Sequence, residues 1–419
     1  LQKLIIEGPT KLEGTVKTAG SKNHVLPMLA AMILTTKDVQ IHNVPDIADV
    51  DVMIEILESF GVRVERTRNS VICNGADAQP NPLGPELTHK LRASLLVLGP
   101  AMARFAEVKM GFPGGDLIGA RPLDSHLNGL SSMGAKILND KDEIELKGKL
   151  KSARVLLDEI SVTATENLIL AAVITSGLTE IRMAATEPHI VALCEFLNNL
   201  GAKISGIGSN VLFIEGVESL QGGEGTIIPD YLESGTFAIA AAASKGNLII
   251  EDFIINDHDA LLNTFSRMGV NYKILASDKL QILPSKKLRA TRIRTDIFPG
   301  FSSDLQAPMA VLCTQAEGVS ELFETMYEGR LQYLFELQRM GAHVNVRDSH
   351  VGLVEGPSVL HGTDLISFDI RAGATVLLAA IIAHGKTTID RIDHIDRGYE
   401  HFDGRLRSLG VKISRIGSK

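Results

Sequence analysis

Six polar residues recur at near-even spacing along this chain. Lys22, Arg92, Thr163, Glu233, Asp304 and Arg371 stand 67 to 71 residues apart. Each lies at or near the start of a long run of small and apolar residues that reads as a buried helix. A helix N-terminus presents unpaired N–H groups and partial positive charge. Lys or Arg is electrostatically disfavoured there unless an anion is close. Three cations at such ends therefore point to binding of phosphate or carboxylate groups, the competing reading being a solvated charge or a structural ion pair. Asp304 and Asp369 are candidate carboxylates for proton transfer, though either could simply cap its helix. The segment Pro113 to Pro122 carries Gly114, Gly115 and Gly119 around one acid, Asp116, and one base, Arg121. Its glycines permit mobility and close backbone approach, so it reads either as a turn or as a lid that carries chemistry. Near the other end, Arg397 directly precedes an amphipathic helix.

The elements that must position these residues repeat six times. LESFGVRVE, LSSMGAKIL, LNNLGAKIS, FSRMGVNYK, LQRMGAHVN and LRSLGVKIS are variants of one phrase, centred on Gly61, Gly134, Gly201, Gly269, Gly341 and Gly410. An amphipathic helix precedes each glycine: Met53, Ile56, Leu57 and Phe60 fall at i, i+3, i+4 and i+7, and Tyr399, Phe402, Leu406 and Leu409 follow the same helical face at i, i+3, i+7 and i+10. The glycine supplies a left-handed turn, and strands follow. In step with this phrase run the small-residue helices, apolar almost all round and hence interior. Six units of about seventy residues cover the chain. A solenoid would also repeat, but two chemically different helices per unit favour three units closing around their own buried helices. The expected fold is α/β, with two similar lobes of three repeats each, helices inside and sheets around them.

Composition narrows the function. The chain has 419 residues, 45% hydrophobic and 22% charged, with a formal net charge of −8. That balance offers no general attraction to nucleic acid or to an anionic membrane surface. Trp is absent and aromatics are 5%, which argues against base-stacking surfaces. The longest apolar stretch, Ala374 to Ala383, is too short to span a bilayer. Cys73, Cys194 and Cys313 are an odd, widely spaced set in apolar contexts and read as small buried hydrophobes. No zinc-ligand spacing, Walker A loop or Gly-x-Gly-x-x-Gly turn is present, so neither a metal nor a nucleotide cofactor is expected. With no signal-peptide pattern at its start, the expected compartment is the reducing cytoplasm.

Together these residues resemble a known family. Gly20-Ser-Lys-Asn23, Leu91-Arg-Ala-Ser94, the Gly114-to-Pro122 loop, Ile228-Pro-Asp230 with Glu233-Ser-Gly-Thr-Phe237, Asp304-Leu-Gln306, Tyr327-Glu-Gly-Arg330, Asp369-Ile-Arg371 and His394-Ile-Asp-Arg-Gly-Tyr399 are similar to the motifs of the UDP-N-acetylglucosamine enolpyruvyl transferases. The resemblance covers essentially the whole chain. It implies a two-lobed inside-out α/β barrel, with one lobe over residues 22–229 and the other formed by residues 1–21 plus 230–419. It also implies a reaction: the 3-hydroxyl of UDP-N-acetylglucosamine attacks C2 of phosphoenolpyruvate while C3 receives a proton, and the tetrahedral intermediate then loses phosphate. Such chemistry needs cations for phosphate and carboxylate, a base for the hydroxyl and an acid for the methylene.

By the same resemblance, Lys22, Arg121 and Arg397 hold the phosphate, and Arg92, Arg330 and Arg371 support the anions and the carboxylate. Asn23 and Asp304 meet the sugar, with Asp304 as base and Asp116 as acid. Pro122, Leu123, Asp124 and Ser125, with Arg121, Ile160, Ser161 and Val162, cradle the UDP. Met326 lines the sugar side, and Asp369 joins the substrate-binding set. Phosphoenolpyruvate and UDP-N-acetylglucosamine are the expected partners, with closure of the lobes around them, and peptidoglycan synthesis is the implied role.

The chain departs from the common pattern in places. The loop acid is Asp116 where cysteine is usual, Gly329 replaces an expected Asn, Ser302-Ser303 replaces Pro-Thr, and Glu159 stands beside the nucleotide segment. Two alternatives remain: the sister transferase acting on shikimate 3-phosphate, and a non-catalytic paralogue that binds a UDP-sugar. One prediction follows from Asp116. The epoxide fosfomycin alkylates the loop thiolate of cysteine-bearing relatives, and a carboxylate is a poorer nucleophile, so this chain should be insensitive. Asp116→Cys should confer time-dependent inactivation by fosfomycin, measured as loss of phosphate release after preincubation. Rapid inactivation of the unaltered chain would contradict the reading.

Overall fold

The computed structural model describes residues 2–115, 119, 122–139 and 143–417. The chain divides into two compact units. Among the described residues, one is built from residues 2–19, 119 and 229–417, and the other from residues 20–115, 122–139 and 143–228. Each has its own hydrophobic core.

The sixfold repeat is visible strand by strand. In the sheet that contains Gly318–Phe323, Arg292–Arg294 runs parallel on one side. Val351–Gly356 pairs antiparallel on the other side, and His343–Val346 pairs antiparallel with that strand in turn. The same parallel–antiparallel–antiparallel order recurs around Gly177–Arg182, Val39–His42, Asn247–Glu251 and Gly385–Asp390. The sheet of Glu107–Gly111 has three strands, and a single parallel bridge between Leu83 and Met110 stands where the fourth would be. In the last repeat the middle antiparallel strand is Lys3–Gly8, from the beginning of the chain. That pairing makes the unit discontinuous in sequence.

Inside the sheets lie the small-residue helices. In Ile370–Ile382 every residue except Ile382 is buried, and in Tyr231–Ala243 every residue except Tyr231. The second such run does not form one helix. Arg92–Val97 is 3₁₀ and Leu98–Phe105 is α, because Pro100 lacks the N–H that would continue the α ladder through its neighbourhood. The amphipathic helices behave as their pattern requires. Met53, Ile56, Leu57 and Phe60 are buried, as are Tyr399, Phe402, Leu406 and Leu409. Each closing glycine, from Gly61 to Gly410, has φ between +80° and +102°, a conformation that costs glycine no Cβ clash. All three cysteines are free and buried, and burial pushes each thiol up to about 12. No described helix is long and apolar enough to cross a membrane.

Sheet and buried helix meet at a second kind of glycine. A Cβ at Gly356 would lie 2.5 Å from Ala316 O, 2.7 Å from Thr314 O and 2.9 Å from Cys313 O, the carbonyls at the end of the Ser303–Cys313 helix. Gly8 meets the carbonyls of Ala383, Ala380 and Ile381 in the same way. Backbone oxygens cannot swing aside as a side chain can. Gly356→Ala should therefore cost about 1–3 kcal/mol, the usual scale of overpacking, read as a lower urea midpoint at unchanged m-value.

Candidate active site

In the unit of residues 2–19, 119 and 229–417, the site is built around Asp304. The helix Ser303–Cys313 is capped by Ser302, whose Oγ accepts from the Asp304 N–H at 3.2 Å. Asp304 itself is thereby left to point its carboxylate elsewhere. Oδ1 pairs with Arg330 Nη2, and Oδ2 pairs with Arg371 Nη2 at 2.9 Å. The two guanidinium groups are 3% and 7% exposed, while the carboxylate is 30% exposed. Burial works against both cations, but their neighbours together hold both above their ordinary value, Asp304 first, with Asp369 and Glu324 beside Arg330 and with Tyr399 and Asp230 beside Arg371. Arg371 also donates from Nη1 to Tyr399 Oη at 3.0 Å, and burial raises that phenol. The result is one anion, partly open to solvent, backed by two cations that cannot turn away.

The two candidate carboxylates are thus distinguished. Asp369 is a helix cap: its Oδ1 accepts from the N–H groups of Arg371 at 2.7 Å and Ala372 at 2.8 Å. Its neighbour Arg371 is aimed by that cap. Arg397 follows the short helix Asp393–Asp396 and is half-buried. A Cβ at Gly398 would come within 2.8 Å of Ile370 Cγ2, so the glycine lets this segment lie against the first residue of the Ile370–Ile382 helix. Met326 is exposed. Glu233 is occupied structurally. Its Oε2 accepts from the Ala19 N–H at 2.7 Å, and its Oε1 pairs with Arg405. Burial raises its carboxyl, against the pull of Arg405.

In the unit of residues 20–115, 122–139 and 143–228, Lys22 is the first residue of the Lys22–Ala30 helix, with Asn23 next to it. Lys22 Nζ lies 3.1 Å from Asp49 Oδ2, a buried acid in the first turn of Ala48–Ser59. Arg92 opens its 3₁₀ segment beside the base of the glycine loop. Gly115 has φ +119°, and a Cβ there would stand 2.8 Å from Arg92 Cβ. That close approach is what the loop glycine serves. Asp116 and Arg121 lie outside the described residues.

Two further segments of this unit are brought into register by a polar side-chain chain. Pro122 and Leu123 lead into the helix Asp124–Ser132, which holds Asp124 and the buried Ser125. Ile160 and Ser161 lead into Val162–Ala172, whose cap is Ser161. His126 Nε2 is 3.1 Å from Thr163 Oγ1, and His126 Nδ1 is 2.8 Å from Asn167 Nδ2. Asn167 also accepts from the Gly99 N–H and donates to Leu95 O, both at 2.8 Å. Asn128 Nδ2 donates to Asp158 Oδ2 at 3.0 Å, while Glu159 is exposed.

Most of the six periodic polar residues therefore work in named pairs: Asp304 with Arg371, Lys22 with Asp49, Glu233 with Arg405, and Thr163 with His126. The partners Asp49, Arg405, His126 and Asn167 were not among the candidates. A polar Asn within an apolar helical run is the one signal that could have flagged Asn167.

Residues 6–406 match the family model described as EPSP synthase (3-phosphoshikimate 1-carboxyvinyltransferase). The chain belongs to the EPSP synthase family. Within that family it is similar to UDP-N-acetylglucosamine 1-carboxyvinyltransferase 1 of Caldanaerobacter subterraneus, with 41% identity covering 99% of each chain. It is similar also to UDP-N-acetylglucosamine 1-carboxyvinyltransferase of Campylobacter hominis, with 40% identity over 98% of this chain and 99% of the relative. Among solved structures, the enolpyruvyl transferase NikO from Streptomyces tendae superposes with a TM-score of 0.90 at 26% identity, covering 100% and 99% of the two chains. EPSP synthase from Acinetobacter baumannii shares the fold, with a TM-score of 0.74 at 18% identity over 99% and 100%.

For this member of the EPSP synthase family, the ion-pair geometry makes a stability prediction. Asp304→Asn keeps the shape but leaves two buried guanidinium groups without their shared anion. Losing one partner of a buried charged pair is destabilising. With the carboxylate partly solvated, we expect a loss of about 1–3 kcal/mol, measured by urea denaturation. A variant as stable as the parent would show that another group neutralises Arg330 and Arg371.

Proposed function

We propose that this chain transfers the enolpyruvyl group of phosphoenolpyruvate to the 3-hydroxyl of UDP-N-acetylglucosamine and releases phosphate, the first committed step of peptidoglycan synthesis. The observation that carries the reading is Asp304, a carboxylate part-exposed at a buried helix start and gripped by Arg330 and Arg371. A carboxylate so held is oriented by two cations, as a group that takes the proton of a sugar hydroxyl has to be. Arg371 and Arg330 add positive charge where a phosphate or carboxylate can approach.

The remaining roles follow the motif assignments. Asp304 takes the proton from the attacking hydroxyl, and Asp116 gives one to C3. Lys22, Arg121 and Arg397 hold phosphate, with Arg92 supporting the anions. Asn23 and Met326 meet the sugar, and the segments 121–125 and 160–162 take the uridine diphosphate. Asp369 contributes by aiming Arg371. We assign the two working units to residues 22–229 and to residues 1–21 plus 230–419. The buried free thiols suit a reducing compartment, and we assign the reaction to the cytoplasm.

Shikimate 3-phosphate is the second acceptor to weigh, because the family description names its transferase. The roughly 40% identity to relatives named for the UDP-sugar favours UDP-N-acetylglucosamine. A phosphate-release assay with phosphoenolpyruvate and each acceptor separates the readings: release with the UDP-sugar alone is expected. Release only with shikimate 3-phosphate would transfer the chain to the sister reaction, and binding without release in either case would make it a sensor. In the active assay, Asp304→Ala should lower turnover by at least ~100-fold, the scale of general-base loss, with calorimetric affinity for the UDP-sugar falling much less.

A further inference from the structure

Glu324 is a fully buried carboxylate in the unit that holds Asp304, and none of the roles above uses it. It directly follows the strand Gly318–Phe323 and begins the turn that leads to Arg330. Its oxygens accept from two directions. Oε2 takes the hydroxyl of Ser303 at 2.9 Å. Oε1 takes the N–H of Met326 at 2.8 Å, the N–H of Tyr327 at 3.3 Å and the hydroxyl of Thr295 at 3.2 Å. These neighbours are all donors, so both carboxylate oxygens are satisfied as acceptors.

What Glu324 joins is specific. Ser303 is the first residue of the Ser303–Cys313 helix, adjacent to Asp304. Met326 and Tyr327 form the turn whose Tyr327 carbonyl accepts from the Arg330 N–H at 3.2 Å. Arg330 in turn pairs with Asp304 Oδ1. One side chain thus fixes the backbone on both sides of the Asp304–Arg330 ion pair. The turn is anchored again from below, where the Thr325 N–H donates to Thr295 Oγ1 at 2.8 Å and the Thr325 hydroxyl to Thr295 O at 2.7 Å. The Glu324 backbone is held as well, its N–H donating to His350 O at 2.8 Å. A residue kept only for core packing would be apolar here, since a buried charge is costly unless its hydrogen bonds are met.

We propose that Glu324 is a positioning residue for the transfer reaction: by bridging Ser303 to the Met326–Tyr327 turn, it sets the distance and orientation between Asp304 and Arg330. This rests on the enolpyruvyl transfer reading. It acts through Asp304 and Arg330 rather than on substrate, and span matters more than charge. The assigned uridine diphosphate segments belong to the other unit, so their affinity is an internal control.

The test compares Glu324→Asp with Glu324→Gln in the phosphate-release assay. Asp keeps the charge but is one methylene short, so it cannot reach both sides. Its kcat should fall about 10- to 100-fold, the scale of an ångström-level misplacement, while the calorimetric Kd for UDP, which lacks the sugar, stays within ~2-fold of the parent. Gln keeps the span: its carbonyl can accept from Met326 and Tyr327, and its amide can donate to Ser303 Oγ, so it should retain most of kcat. Full activity of Glu324→Asp overturns the proposal, as does a Gln variant weaker than the Asp variant, which would make charge the contribution. If Glu324→Asp does not fold, Ser303→Ala breaks one arm alone and should lower kcat several-fold at unchanged UDP Kd; unchanged kcat overturns the proposal. An unaltered chain that releases no phosphate with the UDP-sugar would instead sink the functional reading, and this inference with it.

Discussion

Six helices that are apolar almost all the way round have to be enclosed on every side, and the rest of the chain is arranged to enclose them. A helix such as Ile370–Ile382, buried along nearly its whole length, cannot serve as the outer layer of anything. The sheets supply the cover. Their strands alternate buried and exposed residues, as in Val351–Gly356, so one face meets the helices and the other meets water. The amphipathic helices fill the remaining space, each with one apolar stripe. Each small glycine at a strand end, Gly8 or Gly356, lets a sheet settle directly onto helix carbonyls. Burial on this scale is the dominant favourable term in folding, and it is satisfied separately in each unit's core.

Enclosing the helices leaves their N-termini as the places where polar chemistry has to be resolved. Unpaired N–H groups need partners, and charged side chains that start a buried helix need counter-charges. The chain answers differently at each of these equivalent positions. Glu233 is consumed by Arg405 and the Ala19 N–H, and Thr163 faces His126. At Asp304 the answer is different in kind. The cap is given to Ser302, and the carboxylate is kept half-open between two buried cations. A repeat built for packing thus carries, at one position, a part-open carboxylate held in place by two cations. Asp369 and Glu324 belong to the same local solution, since one aims Arg371 and the other brackets the Asp304–Arg330 pair.

Particular residues show how much of this was legible beforehand. The glycines from Gly61 to Gly410 could be read as left-handed turns because only a few residue types tolerate that conformation, and all six adopt it. The buried faces of Met53 to Phe60 and Tyr399 to Leu409 followed from periodicity, which depends on local helix geometry alone. The break in the second buried run, at Arg92–Val97, was written in Pro100 but was not read from it. Asp304 and Asp369 looked alike as candidates, two acids at two helix starts. Which of them caps depended on where each helix begins: Asp369 directly precedes Ile370–Ile382, whereas Asp304 is the second residue of Ser303–Cys313, where Ser302 holds the cap position.

The sequence by itself determined the repeat, the two kinds of helix, the family and the residue types that can do the chemistry, because each is encoded in short-range spacing or in motif identity. Only the tertiary structure decided the pairings. Lys22 with Asp49, His126 with Asn167, Arg330 with Asp304 and Glu324 with Ser303 link residues 27, 41, 26 and 21 positions apart. The strand Lys3–Gly8 completes a sheet with Gly385–Asp390 at the far end of the chain. No local pattern encodes such a partner. It is chosen when the helices pack and bring certain polar ends within hydrogen-bond reach, where a buried charge left alone would be too costly to keep.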